Sequence, residues 1–339
     1  MEGWMIALIV VAGVILILAV AFFLAAHFYS EYVIGHDYKP PKGADPKDYG
    51  VDTTWFDTVA DSLGDEEITA FDGIKLVATT LKHKSDAETK RVAIIQHGYH
   101  AGTRSVQPFA QMFYEKGFDV YMPAARGHNV SEGKYIGMAW LDRFDVMRWI
   151  DKVVEKYGSD VEIALMGVSM GGSTMAAVSG MQPPPQVKCA IVDCGFSSQL
   201  EEYRACLNGV KIPKALFLIP LSVGIRFKCG YSVAEADICS LVKDSTLPTL
   251  FIHGERDSFV PVELGKKLYE ACGAEDKRLE LFDAEHAASI ASDRERYTKI
   301  FGGFIGKYFD GVEAESDASD ETPTEENVEE NASAEQSAE

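Results

Sequence analysis

Ser169 stands in the run Gly167-Val168-Ser169-Met170-Gly171. A serine hydroxyl attacks a carbonyl only with help. A base must take its proton, and an acid must orient that base. Two later residues have the right types. Asp257 follows Leu250-Phe251-Ile252-His253-Gly254-Glu255-Arg256, and His286 follows Asp283-Ala284-Glu285. The chain order is nucleophile, acid, base. No histidine comes after His286, so nothing else can take the last place in that order. Asp193 is the alternative acid, since it closes an earlier apolar run.

The oxygen that becomes negative on attack needs hydrogen-bond donors. Met170 directly follows the serine and would open a helix, whose first N–H groups are unpaired. Tyr99 follows Ile94-Ile95-Gln96-His97-Gly98, where a glycine lets backbone approach the site. The backbone N–H groups of Tyr99 and Met170 are therefore the candidate donors. His97, His128 and His253 read as residues that fix loops, and Cys194 reads as a buried, inert thiol.

These residues must be brought together by the elements before them. Runs at 66–71 and 74–81, joined by Asp72-Gly73, read as a hairpin. Beyond it the pattern alternates. Strands are predicted at 91–96, 118–124, 161–166, 187–193, 247–253 and 278–282. Helices are predicted at about 106–116, 140–157, 170–181, 262–272 and 293–309. Segment 197–237 breaks the alternation and reads as a helical insertion. A hairpin followed by repeated β-α units gives an α/β fold with a mostly parallel sheet and helices on both faces. Ser169, Asp257 and His286 then all lie at strand carboxyl ends, where such sheets carry their sites. The serine sits between a strand and a helix, as a nucleophile in a sharp turn must.

The chain resembles an α/β-hydrolase, and more narrowly the serine-aminopeptidase-type or lysophospholipase-like esterases. The matching residues are His97-Gly98, Arg126-Gly127-His128-Asn129 with Ser131 and Gly133, Gly167 to Gly172, His253-Gly254-Glu255-Arg256-Asp257 with Val260-Pro261, and Glu285-His286. They span about 55–309. One departure is Ala125, where these enzymes often carry an acid. The resemblance implies a Ser169-Asp257-His286 triad and hydrolysis of an ester, thioester or amide. It implies that 197–237 is a lid over an acyl pocket. It implies no metal and no organic cofactor. Ester substrates lead, aminoacyl amides come second, and a small acyl ester or lipid-like molecule is the expected partner. A non-catalytic scaffold that binds a ligand or protein is the contrasting reading, and the complete triad speaks against it.

The ends of the chain carry other information. Residues 4–26 hold no charge. At about 1.5 Å per residue they reach roughly 34 Å, enough to cross a bilayer core. Residues 1–32 are therefore read as a membrane anchor. A cleaved signal peptide is the competitor, through Ala19-Val20-Ala21, but Glu2 and the long apolar run oppose it. Lys39, Lys42 and Lys47 follow the span and lean toward a cytoplasmic domain, although a first helix often inserts with its N-terminus inside. Residues 33–50, rich in proline and glycine, read as a linker, and 51–310 as the hydrolase domain. Six cysteines at irregular spacing suggest free thiols, not a zinc site.

Residues 311–339 hold eleven of the acids and no Lys or Arg. This segment reads as a disordered tail, because it cannot bury enough apolar area to offset its ordering entropy. The net charge of −20 argues against nucleic acid as a partner. The nine-residue run 215–223 is too short to cross a membrane. It reads as lid packing in preference to a monotopic membrane contact.

Overall fold

The computed structural model describes residues 2–36, 54–84, 89–309 and 312. The expected linker falls outside them from residue 37 on, and so does the expected tail apart from Val312.

The elements run in this order. α1 (Gly3–Ile34) and α2 (Trp55–Thr58) precede β1 (Leu63–Thr69) and β2 (Lys75–Leu81). Then come β3 (Arg91–Gln96), α3 (Gln107–Glu115), β4 (Asp119–Pro123), α4 (Asp142–Tyr157), β5 (Glu162–Val168), α5 (Met170–Gly180) and β6 (Val187–Asp193). The insertion is α6 (Gln199–Cys206) and α7 (Ala215–Cys229), followed by α8 (Cys239–Val242). β7 (Thr249–Gly254), α9 (Val262–Ala271), β8 (Lys277–Phe282) and α10 (Ser289–Ser292) close the larger unit, which ends at Asp293. α11 (Arg294–Tyr308) belongs to a second unit, from Arg294 onward, and repeats Tyr297, Ile300, Phe301, Phe304 and Ile305 at helical spacing.

Among the described residues the strands form one sheet, in the order β1-β2-β4-β3-β5-β6-β7-β8. β1 and β4 are antiparallel to β2, and the pairs from β4 through β8 are parallel. This is an α/β fold with the hairpin at one edge. β1 starts at Leu63, earlier than the alternation of side chains suggests, because its first residues pair with the end of β2. The central parallel strands β3, β5 and β7 are nearly continuous buried runs, as strands covered on both faces must be, while β8 at the edge alternates charged and apolar residues. Val92, Ile94, Ile163 and Leu165 share one buried cluster with Trp149, Ile150 and Val153 of α4.

α1 departs from the expected division of the chain. The helix does not stop at residue 32 but continues to Ile34, and Gly35 bridges to Tyr135. Its first part carries exposed Ile9, Leu16 and Leu18, while Ala26, Ser30 and Ile34, four residues apart, are buried. That stripe packs on α7. A Cβ at Gly224 would lie 2.1 Å from Ala26 O, so only glycine lets the two backbones approach so closely. Lys228 Nζ sits 2.7 Å from Glu31 Oε1, and the rings of Tyr29 and Phe217 are 4.6 Å apart. On α7, Leu218, Leu221 and Ile225 are buried. Leu216, Ile219 and Phe227 remain exposed, Phe227 at 77%. The six cysteines are free thiols.

Candidate active site

Ser169 joins β5 to α5 with φ 57° and ψ −119°. A side chain rarely adopts this conformation, and the surroundings must hold it. The Ser169 N–H donates to Asp193 O at 2.8 Å, and its carbonyl accepts from Ser173 N at 3.0 Å. The turn also needs its glycines. A Cβ at Gly167 would meet Gly171 O at 2.1 Å, and a Cβ at Gly171 would meet Gln96 O at 2.1 Å. Strand, turn and helix therefore fit together only without these side chains, and the serine hydroxyl projects from the end of the sheet.

His286 meets that hydroxyl. Its Nε2 is 2.9 Å from Ser169 Oγ, and its Nδ1 is 2.7 Å from Asp257 Oδ2. The consistent assignment has Nδ1–H donating to the carboxylate and Nε2 accepting from the serine. Asp257 is locked in place. Its Oδ1 accepts from Phe259 N at 2.9 Å and Val260 N at 2.8 Å. Burial by itself would raise the Asp257 pKa. Hydrogen bonds from His253, His286 and the Val260 backbone outweigh it and lower the value to about 2. The ring of Phe259 lies 5.0 Å from that of His286. Asp193, the alternative acid, supports Ser169 through its backbone carbonyl, while the His286 Nδ1 bond goes to Asp257.

The loop after β3 comes alongside. A Cβ at Gly98 would lie 3.3 Å from Ser169 Cβ, so the backbone leading into Tyr99 runs against the nucleophile. His97 fixes this loop: its Nε2 accepts from Ala125 N at 3.0 Å and its Nδ1 donates to Gly98 O at 2.8 Å. Burial, with His128 nearby, lowers its pKa to about 3, so the ring stays neutral. His128 accepts from His100 N at 3.1 Å through Nε2, and burial lowers its pKa to about 4. His253 Nε2 lies 2.9 Å from Val260 O and so braces the loop that carries Asp257. Arg126 holds the loop after β4 through Asp145, with Nε–Oδ2 at 2.7 Å, and through Asp72, with Nη1–Oδ2 at 2.8 Å. Ala125 lies in this scaffold, with its N–H on the His97 ring and its carbonyl accepting from His128 N at 3.0 Å.

Cys194 follows β6, and its sulfur lies within 4.8 Å of ligand atoms of Asp257 and His286. Burial pushes this thiol well above its usual pKa, and the charges of Asp193 and Asp257 add to that. A protonated thiol beside an imidazole and a carboxylate already bonded to each other does not fit a metal site. Sequence reasoning missed two features. The end of α1 reaches the site, since Tyr99 Oη donates to Val33 O at 2.5 Å. α6 brings Gln199, Glu202 and Tyr203 into the buried interior; their spacing was the available signal.

A family model described as serine aminopeptidase, S33, matches residues 87–213. The uncharacterized protein YfhR of Escherichia coli O157:H7 is 31% identical over 256 residues, 74% of this chain and 80% of its own. The uncharacterized protein YqkD of Bacillus subtilis strain 168 is 24% identical over 232 residues, 68% of this chain and 76% of its own. The esterase Pf2001 of Pyrococcus furiosus is similar in structure, with a TM-score of 0.60 at 22% identity over 82% of this chain and 99% of its own. That last likeness is one of fold. The strand order, the strained serine turn and these matches together show that the chain belongs to the α/β-hydrolases of the serine aminopeptidase S33 type.

Proposed function

We propose that this protein is a membrane-anchored serine hydrolase that cleaves a carboxylic ester or thioester through an acyl-enzyme. The observation that carries the reading is the unbroken chain from Ser169 Oγ to His286 Nε2 at 2.9 Å and from His286 Nδ1 to Asp257 at 2.7 Å. Ser169 attacks the carbonyl as His286 takes its proton. The N–H groups of Tyr99 and Met170 receive the developing oxyanion, and each such donor contributes about 10²–10³ in rate. His286 returns the proton to the leaving alcohol. Water then attacks the acyl-serine, again with His286 as base, and frees the acid. Asp257 keeps the imidazole in the tautomer that this requires.

The exposed apolar part of α1 supports anchoring, and the exposed Leu216, Ile219 and Phe227 of α7 support a lid that faces the same bilayer. α6 and α7 would cover the acyl pocket, and Lys39, Lys42 and Lys47 lean the domain toward the cytoplasm. The test is labelling by a fluorophosphonate probe with hydrolysis of short p-nitrophenyl esters. Wild type should react in both assays and Ser169→Ala in neither; a labelled Ser169→Ala protein would remove the assignment. Amide hydrolysis is the second reading, favoured by the family description of the matching segment. Aminoacyl amides set beside esters of graded chain length separate the two.

A further inference from the structure

Gln199, Glu202 and Tyr203 occupy positions i, i+3 and i+4 of α6, so their side chains share one helix face. All three are more than nine-tenths buried, at 0%, 4% and 6% exposure. Each leaves one polar atom without a hydrogen-bond partner among the described residues: Gln199 Oε1, Glu202 Oε2 and Tyr203 Oη. Buried polar groups are otherwise almost always paired. Three orphaned atoms on one face of five residues point to a partner that the chain does not supply.

The other atoms of these side chains show that the face is held in place. Gln199 Nε2 donates to Met138 O at 2.9 Å and to Tyr231 Oη at 3.0 Å, which turns Oε1 the other way. Glu202 Oε1 accepts from Cys206 Sγ at 3.3 Å, which leaves Oε2. The surroundings belong to the site. Tyr203 shares a buried cluster with Met170, the residue after the nucleophile, with Met138, Phe196 and Tyr231, and with Tyr99 at its margin. Glu202 senses the charges of Asp257 and His253, and Tyr203 senses Tyr99. Through Tyr203 the face therefore borders Met170 and Tyr99, the residues proposed to bind the oxyanion.

We infer that the α6 face of Gln199, Glu202 and Tyr203 is a substrate subsite that takes an uncharged, hydroxyl-bearing part of the ester. The inference rests on the serine hydrolase reading and narrows its substrate class. Gln199 Oε1 can only accept, so the ligand must bring a donor. Tyr203 both donates and accepts, as a hydroxyl partner requires. Burial raises the Glu202 pKa to about 7, so near neutrality its carboxyl also works in both directions. An anion would meet the charge of Asp257. A cation would need a fully ionised carboxylate in apolar surroundings. A hydroxylated group satisfies the three atoms without burying net charge. It can belong to the alcohol half or the acyl half.

The experiment uses the full chain in detergent with four esters: ethyl butyrate, glyceryl monobutyrate, ethyl 3-hydroxybutyrate and alanine ethyl ester. For wild type, kcat/KM should favour one hydroxylated ester over ethyl butyrate by about tenfold, the effect of pairing one or two buried hydrogen-bonding groups. Which of the two leads assigns the alcohol or the acyl half. Tyr203→Phe and Glu202→Leu should raise KM for that ester and reduce the tenfold preference to about twofold or less. Equal kcat/KM for plain and hydroxylated esters, or variants that leave the preference intact, overturn the subsite while the hydrolase reading stands. A preference for alanine ethyl ester replaces the neutral ligand with a cationic one and also overturns it. If wild type cleaves none of the four, and does not react with a fluorophosphonate, the hydrolase reading falls and the subsite with it.

Discussion

Tyr99 donates its phenol hydrogen to the carbonyl of Val33 at 2.5 Å across 66 residues of sequence. The bond ties the loop beside Ser169 to the end of α1. Tyr99 is also the proposed source of one oxyanion N–H, so its side chain serves as a tether for its own backbone. Tyr99→Phe should lower kcat about fivefold, the equivalent of ~1 kcal/mol in transition-state stabilisation. KM should change little, because the carbonyl oxygen is bound weakly before attack. Steady-state kinetics on a short p-nitrophenyl ester checks this. An unchanged kcat would show that the amide is positioned without the tether.

Asp257 and Asp193 offer a second comparison, because each stands at or just beyond the carboxyl end of a strand and is a candidate for the acid of the proposed triad. Asp257→Asn should cost about 10⁴ in kcat, since an amide donating to Nδ1 leaves the proton on Nε2 and removes the base. Asp193→Asn should cost far less, since the His286 bond goes to Asp257. Fluorophosphonate labelling rates for both variants give the ranking. The reverse order would transfer the acid role to Asp193.

The strand-turn-helix at Ser169, the strand-end placing of Asp257 and His286 and the sheet were legible because they depend on short stretches. A strand, a sharp turn and a helix leave their marks within a dozen residues, as around Gly167 and Gly171. Asp257 and His286 were found because each follows a strand directly. The union of α1 with α7 was not legible. It rests on Gly224 meeting Ala26 and on Lys228 meeting Glu31, about 200 residues apart in sequence, and composition says nothing about such pairs. The uncharged run 4–26 reads as a membrane span, and in sequence the residues that continue α1 to Ile34 look like the end of an anchor and the start of a linker.

Asp142 predicts a pH dependence of stability. Its carboxyl is buried, with Oδ2 accepting from Ala139 N at 2.8 Å. Burial first, and the neighbouring Asp145 second, raise its pKa to about 7 against an ordinary value near 4. Between these pH values the unfolded chain has lost the proton that the folded chain keeps. The unfolded state then binds fewer protons, so stability falls as pH rises from about 4 through 7. The loss is on the order of 4 kcal/mol when complete. Glu202, raised to about 7 chiefly by burial, acts in the same direction. Thermal unfolding of the full chain in detergent should give a higher Tm at pH 5.5 than at pH 8. Asp142→Asn should narrow the difference by stabilising the protein at pH 8. A Tm that rises from pH 5.5 to pH 8 would contradict the buried, protonated carboxyl.

Gly224 tests whether α1, the proposed anchor, is also part of the folded domain. A Cβ there would stand 2.1 Å from Ala26 O and 2.5 Å from Ser30 Oγ, so no side chain fits without moving a helix apart. Gly224→Leu should separate α7 from α1, uncover Leu221 and Ile225, and lower stability by about 1–3 kcal/mol, the usual cost of overpacking. The Lys228–Glu31 pair crosses the same contact with Lys228 largely covered. Charge reversal at either residue should therefore destabilise, and the double reversal Glu31→Lys with Lys228→Glu should recover part of the loss. Limited proteolysis of the lid reads both effects. If Gly224→Leu leaves α6 and α7 as resistant as wild type, α1 and α7 are independent.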